Sequence, residues 1–211
     1  MAKCIIFDLD GTLIDSRADL TTGVNLVRKR YGLEPLSIET VTNYVGNGAR
    51  KLIERAFANT DADLDEALSM MRKFYMENML DKTELYPGVK NGLQELNEAG
   101  IPLAVITNKP TDPCKMILEH FGIAPYIRFA IGGDSGFPLK PEPDSLLHVL
   151  RETGSSSEES WILGDNYTDL ESGRHAEIKK CFALYGFGKQ KDETYDLAVE
   201  SFDEFVSEIL S

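Results

Sequence analysis

Apolar residues along this chain fall into two patterns. Short, nearly continuous runs occur at Lys3–Leu9, Pro102–Thr107, Ile127–Ile131, Ser160–Gly164 and Lys180–Leu184. Each is too short for a helix, and several are rich in Ile, Val or Phe, so they predict strands. Because they do not alternate with polar residues, they predict strands covered on both faces, as in a parallel sheet. Between them lie stretches with helical periodicity: Val89–Ala99, Asp112–Phe121, Pro143–Glu152 and Asp169–Glu177, with a last one at Phe202–Leu210. Gly100 and Gly122 stand where helix C-caps are expected, and Pro143 suits a first turn. Strand and helix in alternation predict an α/β fold: a doubly wound, Rossmann-like parallel sheet.

One section departs from this rhythm. From Ser16 to Asp81 the pattern is helical throughout, with Leu20, Val24 and Val27 on one face and Leu64, Leu68, Met71 and Tyr75 on another. Met70, Met71, Phe74 and Tyr75 read as internal packing. The section predicts an all-α insertion at residues 16–81, splitting a core made of residues 1–15 and 82–211. Tyr86-Pro87-Gly88 marks the return to the core.

Composition narrows the partners. The chain has 211 residues, 42% hydrophobic and 27% charged, and a formal net charge of −13. Nearly all the acid excess lies outside residues 16–81, and a chain so acidic is a poor match for nucleic acid. Cys4, Cys114 and Cys181 are scattered, with neither disulfide-framework nor metal-ligand spacing. No apolar run reaches membrane-spanning length, and no signal-peptide core is apparent at the start of the sequence. The expectation is a cytoplasmic monomer or homodimer acting on a small molecule.

The chemistry gathers at the expected carboxyl ends of the strands, where open α/β sheets bind ligands. Asp8 and Asp10 follow the first strand, Thr107-Asn108 the second, and Asp165 the fourth, with Asp169 one helical turn later. Lys140 lies in the connection after the third. Clustered carboxylates need a cation among them, and hard oxygen donors favour Mg²⁺. An ionised Asp so placed can attack phosphorus, and a second one two residues on can move the proton. Lysine, hydroxyl and amide donors would steady the phosphoryl oxygens.

At these residues the chain resembles the haloacid dehalogenase superfamily. Phe7-Asp8-Leu9-Asp10-Gly11-Thr12-Leu13 is similar to its first motif, Ile106-Thr107-Asn108 to its second, Lys140-Pro141 to its third and Gly164-Asp165-Asn166-Tyr167-Thr168-Asp169 to its fourth. The resemblance implies Asp8 as nucleophile and metal ligand, and Asp10 as general acid/base with its carbonyl on the metal. It further implies Thr107 and Asn108 as phosphate-binding, Lys140 as the cation for nucleophile and phosphate, Asp165 as Mg²⁺ ligand and Asp169 as support. It makes the insertion a helical-bundle cap. Tyr44-Val45-Gly46-Asn47-Gly48-Ala49-Arg50 looks like the cap loop of phosphoglycolate phosphatases, and outside the insertion Tyr86-Pro87-Gly88-Val89 and Tyr185-Gly186-Phe187-Gly188 are similar to segments of that subgroup. Gly46, Asn47, Gly48 and Arg50 are therefore the expected specificity residues, Arg50 through a bidentate carboxylate contact.

Blander readings stand beside these. Asp-Gly also makes ordinary turns, Gly46–Gly48 could be a plain inter-helix turn, and Arg50 could be a solvated helix residue. The implied activity is Mg²⁺-dependent hydrolysis of a small phosphomonoester through an aspartyl-phosphate, with 2-phosphoglycolate leading. Alternatives are another sugar-phosphate or nucleotide phosphatase, a pyrophosphatase, a β-phosphoglucomutase-like transferase, or a binding protein that keeps only the scaffold. The chain departs from the family pattern at Glu177, where Gly is common after Ala176, and at Asn166, where Ser is frequent.

Overall fold

The computed structural model describes residues 3–211; residues 1 and 2 of the expected core segment lie outside the described residues. Six parallel strands form one sheet: β1 (Ile5–Phe7), β4 (Leu103–Ile106), β5 (Phe129–Ile131), β6 (Trp161–Gly164), β7 (Lys179–Ala183) and β8 (Leu197–Val199). Their order is β5-β4-β1-β6-β7-β8, and every pairing is parallel. The other two strands, β2 (Ile14–Asp15) and β3 (Glu84–Leu85), pair antiparallel as a separate ribbon.

The period of two along each strand decides which core a side chain joins. Ile5, Phe7, Leu103 and Val105 face one side with α5 (Val89–Glu98), α6 (Thr111–His120) and α9 (Phe202–Leu210). There Phe7 packs on Phe202 and Phe205, with ring centroids 5.6 and 6.1 Å apart. Cys4, Ile6, Ala104 and Ile106 face the other side, against α7 (Asp144–Thr153) and α8 (Tyr167–His175). With both faces covered the strands need no alternation, which is why they read as continuous apolar runs.

Two features escaped the sequence pattern. β8 is only three residues long and follows Tyr195-Asp196, so no apolar run announces it. The β2/β3 ribbon is shorter still. α8 begins at Tyr167 rather than Asp169, because Asn166 caps it, its side chain accepting from Thr168 N while Asp169 reciprocates. Asn166 is thus accommodated as a helix cap. Glu177 follows α8 at a left-handed φ of 56°, which explains why glycine suits that position.

Between β2 and β3 the chain forms α1 (Arg17–Arg30), α2 (Ile38–Thr42), α3 (Gly48–Ala56) and α4 (Leu64–Asn78). α1 and α4 pack closely, burying Leu20, Val24 and Val27 against Ala67, Met71 and Tyr75. Buried Asp19 ties this unit to the returning chain: its Oδ2 accepts from Lys82 N at 3.0 Å, and from Thr83 N and Thr83 Oγ1 at 2.8 Å. No helix among the described residues is long and apolar enough to cross a membrane.

Candidate active site

β1 lies between β4 and β6, so the residues that follow these three strands meet at one end of the sheet. Asp8 is the first residue past β1, and its N–H still donates to Leu163 O at 3.0 Å. Thr107 and Asn108 follow β4, and Asp165 follows β6. The loop after β5 supplies Lys140. Asn108 clamps that loop from both ends of its amide: Lys140 N donates to Asn108 Oδ1 at 2.9 Å, and Asn108 Nδ2 donates to Lys140 O at 3.0 Å. Lys140 Nζ in turn donates to Ile106 O and Asp169 Oδ1, each at 2.6 Å.

Lys140 Nζ also lies 2.9 Å from Asp8 Oδ1. This buried ion pair is the contact that Asp8 Oδ1 makes; it has no other partner among the described residues. Burial alone would lower the Lys140 pKa, but the Asp169 and Asp8 carboxylates outweigh it and raise it. Burial pushes Asp8 up to about 6; Lys140 opposes the rise, and the neighbouring Asp169 adds to it. Burial, followed by the charges of Asp169 and Asp8, holds Asp165 well above the ordinary carboxylate range.

These residues fit a hard divalent cation. Asp8, Asp165 and Asp169 each offer a carboxylate oxygen, all within 4.8 Å of one another. Asp165 is pre-aimed: its Oδ2 accepts from Phe187 N at 2.9 Å and Gly188 N at 2.7 Å. Gly11 makes room for it, since a Cβ there would stand 1.9 Å from Asp165 Oδ2. Asp169 has its oxygens engaged by Lys140 and by Asn166 N, which makes it an anchor for Lys140 more than a free ligand.

Asp10 points elsewhere. Its carboxylate accepts from Lys109 Nζ at 2.7 and 2.9 Å, and from the Ser16 hydroxyl. Lys109 is buried, and its ammonium lies 4.7 Å from the centroid of the Tyr75 ring. Burial would depress this lysine, yet the Asp10 charge, with Tyr75 adding, raises it. Thr107 is buried beside it, its Oγ1 accepting from Lys109 N at 3.2 Å.

The insertion closes the other side of a cavity of about 300 Å³ that takes in Asp8, Asp10, Thr107, Asn108, Lys140 and Asp165. Gly46 and Gly48 line it, and Gly46 O accepts from Asn108 Nδ2 at 3.0 Å. Gly46 has φ 112°, and a Cβ there would meet Asn166 Nδ2 at 2.6 Å, so only glycine lets the loop seat on the core. Asn47 is used structurally: it donates to Tyr167 Oη at 2.7 Å and accepts from Arg55 Nη2 at 2.8 Å. Arg50 is not brought to the cavity. It is exposed and paired with Glu54 at 3.2 Å and with Asp65.

Residues 5–183 match the haloacid dehalogenase-like hydrolase family. The chain belongs to that family. Among related hydrolases, the phosphoglycolate phosphatase of Aquifex aeolicus is 34% identical over 97% of this chain and 95% of its own length. That of Psychrobacter arcticus is 35% identical over 96% and 92%. A predicted phosphoglycolate phosphatase from Haemophilus somnus 129pt superposes with a TM-score of 0.92 at 29% identity, covering 98% of this chain and 97% of the other. The family resemblance read from the four strand-end motifs is thereby borne out.

Within this haloacid dehalogenase-like frame, several site residues were missed from sequence. Lys109 directly follows Thr107-Asn108 at the end of β4, a position that could have flagged it as a partner for Asp10. Ser16 was not singled out, and Phe187 and Gly188, marked only by the subgroup resemblance, reach Asp165 through backbone N–H groups that no residue type signals. Tyr75, read as packing, is indeed buried, but it also forms cavity wall.

Proposed function

We propose that this haloacid dehalogenase-like hydrolase is a Mg²⁺-dependent phosphomonoesterase, with 2-phosphoglycolate as its leading substrate. The observation that carries the reading is the buried Lys140 held between Asp8 and Asp169 beside Asp165. That network keeps a carboxylate close to a fixed cation at the ligand-binding end of the sheet. Relatives named phosphoglycolate phosphatase support the substrate at about a third identity over nearly the whole chain.

In the first step an Asp8 carboxylate oxygen attacks phosphorus, the bond to the leaving oxygen breaks, and Asp10 delivers a proton to that oxygen. In the second, water attacks the aspartyl-phosphate, Asp10 takes its proton, and Asp8 leaves as a carboxylate. The bonds from Lys109 and Ser16 to Asp10 suit the second step, when Asp10 must be ionised. Lys140 neutralises Asp8 and a phosphoryl oxygen, and Asp169 keeps its ammonium in place. Thr107 donates its hydroxyl to phosphate. Asn108 acts indirectly, because its amide is engaged with Lys140 and Gly46. Asp8 and Asp165, with the Asp10 carbonyl, would hold Mg²⁺, which supplies positive charge to the phosphoryl oxygens.

Residues 16–81 serve as a cap that shields this chemistry from bulk water and selects the leaving group. The partner is a small phosphorylated metabolite. Release of inorganic phosphate from a panel of phosphorylated metabolites, with and without Mg²⁺, tests the reading. 2-Phosphoglycolate should rank first and activity should vanish on chelation. A panel led by larger sugar phosphates would overturn the substrate, and metal-independent turnover would overturn the cofactor.

A further inference from the structure

The two sides of the cavity carry very different charge. The core contributes Asp8, Asp10, Asp112, Asp134 and Asp165, together with Lys109 and Lys140. The insertion contributes a mainly apolar wall that includes Leu20, Val45, Leu52, Met71 and Met76. Arg72 is the only charged side chain it adds to the lining among the described residues.

Three cations therefore line the cavity, and two are already committed. Lys140 is paired with Asp8 and Asp169, and Lys109 with Asp10. Arg72 forms no ion pair within 4.0 Å among the described residues. Its place on α4 makes this more than a solvated surface charge. Met71 and Tyr75 on the same helix are buried, whereas Arg72 and Met76 stand at the edge of that stripe. An arginine there can lay its apolar stem on the wall while its head group faces the polar contents. The charge is felt across the cavity: Thr111 holds the Asp134 carboxyl below its usual range by donating to it, and Arg72 adds to the effect.

We infer that Arg72 is the residue through which the insertion recognises the leaving group, and that this leaving group carries a carboxylate. The inference rests on the phosphomonoesterase reading and deepens it. Phosphate is met by Lys140 and the metal site on the core side, leaving Arg72 as the one unpaired cation of the lining, among the described residues, for a second anionic end. A guanidinium can bind a carboxylate through two parallel hydrogen bonds, a geometry that an ammonium cannot reproduce. In a mainly apolar wall, a substrate lacking that carboxylate forfeits this two-bond pair, and Arg72, being exposed, keeps water instead, so discrimination comes from the pair that is lost.

The test compares 2-phosphoglycolate with 2-hydroxyethyl phosphate, which replaces the carboxylate by a hydroxymethyl group, in wild type, Arg72→Met and Arg72→Lys. Wild type should prefer the carboxylate substrate. Arg72→Met should lower kcat/KM for 2-phosphoglycolate by about 30-fold, mostly through KM, and at least about tenfold more than for 2-hydroxyethyl phosphate. Arg72→Lys should recover only part of the preference. Equal losses on both substrates, or a wild-type preference that survives in Arg72→Met, would overturn the inference while leaving the phosphomonoesterase reading intact. A wild type that releases phosphate equally from both would overturn the 2-phosphoglycolate assignment, and the role of Arg72 with it. A failure to release phosphate from either substrate or from p-nitrophenyl phosphate would overturn the phosphomonoesterase reading itself.

Discussion

The core and insertion faces of the cavity are built on opposite principles. On the core face, Asp8, Asp10, Asp165 and Asp169 are all shielded from bulk solvent and answered by lysines or backbone N–H groups. Each group there fixes the next. On the insertion face the wall is mainly apolar, with a single charged side chain among the described residues, the exposed guanidinium of Arg72. A network of buried charges tolerates little change, because removing one partner strands the other. An apolar wall can exchange one side chain for another at modest cost. On the proposed function, the reaction belongs to the rigid face and the choice of substrate to the permissive one.

The strongest way to break the core face is Asp8→Asn. Turnover should fall by about 10⁴-fold or more, read as phosphate release, while circular dichroism shows an intact fold. A near-normal rate would end the nucleophile assignment.

Lys109→Met comes next. It leaves the Asp10 carboxylate in a shielded site with only Ser16 as a side-chain partner, so urea unfolding should show a loss of about 3 kcal/mol. The rate should fall by roughly 100-fold through misplacement of Asp10. An unchanged urea midpoint would show that the pair contributes no net stability.

A milder effect comes from pH. Asp8 has a folded pKa of about 6 against an ordinary 3.8, so its contribution to stability is full below the lower value and is lost as pH rises through the upper one. Asp165 shifts in the same direction. Metal-free protein should therefore melt higher at about pH 5.5 than at pH 7.5, by about 1 kcal/mol in stability from Asp8, with Asp165 adding in the same direction. Mg²⁺ should raise the melting temperature more at the higher pH, where both carboxylates must ionise. A melting temperature that falls on acidification over this range would contradict the sign.

The smallest effect lies away from both faces. Glu177→Gly relieves a left-handed backbone position after α8 and should stabilise the protein by about 1 kcal/mol without changing kcat.

Sequence alone disclosed the rigid face more fully than the permissive one, for a physical reason. A strand end confines a side chain to one small region, so Asp8, Thr107 and Asp165 could be brought together from strand order alone. Lys140 required only that its loop return to the same edge. On a helix, position is read modulo a rotation: the pattern marked Met71 and Tyr75 as inward-facing but could not say that Arg72 beside them lines the cavity. Arg50 illustrates the reverse error. Its motif context suggested a ligand contact, but Glu54 one turn later and Asp65 at the start of α4 hold it instead. Asn108 was legible as a strand-end amide, although its partners Gly46 and Lys140 were not, because both are backbone oxygens.

The ribbon of β2 and β3 has a consequence for how such molecules diversify. Ile14 pairs with Leu85 and Asp15 with Glu84, so the chain leaves the sheet domain and rejoins it at adjacent points. Any segment whose two ends can sit about 5 Å apart could be grafted onto this neck without rerouting the strands around it. Lengthening the graft adds closure entropy only logarithmically. Asp19 is a stitch at the neck that a replacement would have to reproduce, since it fastens the first inserted helix to Lys82 and Thr83; farther out, Gly46 and Asn47 make further bonds to Asn108 and Tyr167. The neck turns the inserted helices into an exchangeable module, open to replacement by recombination as well as by point mutation.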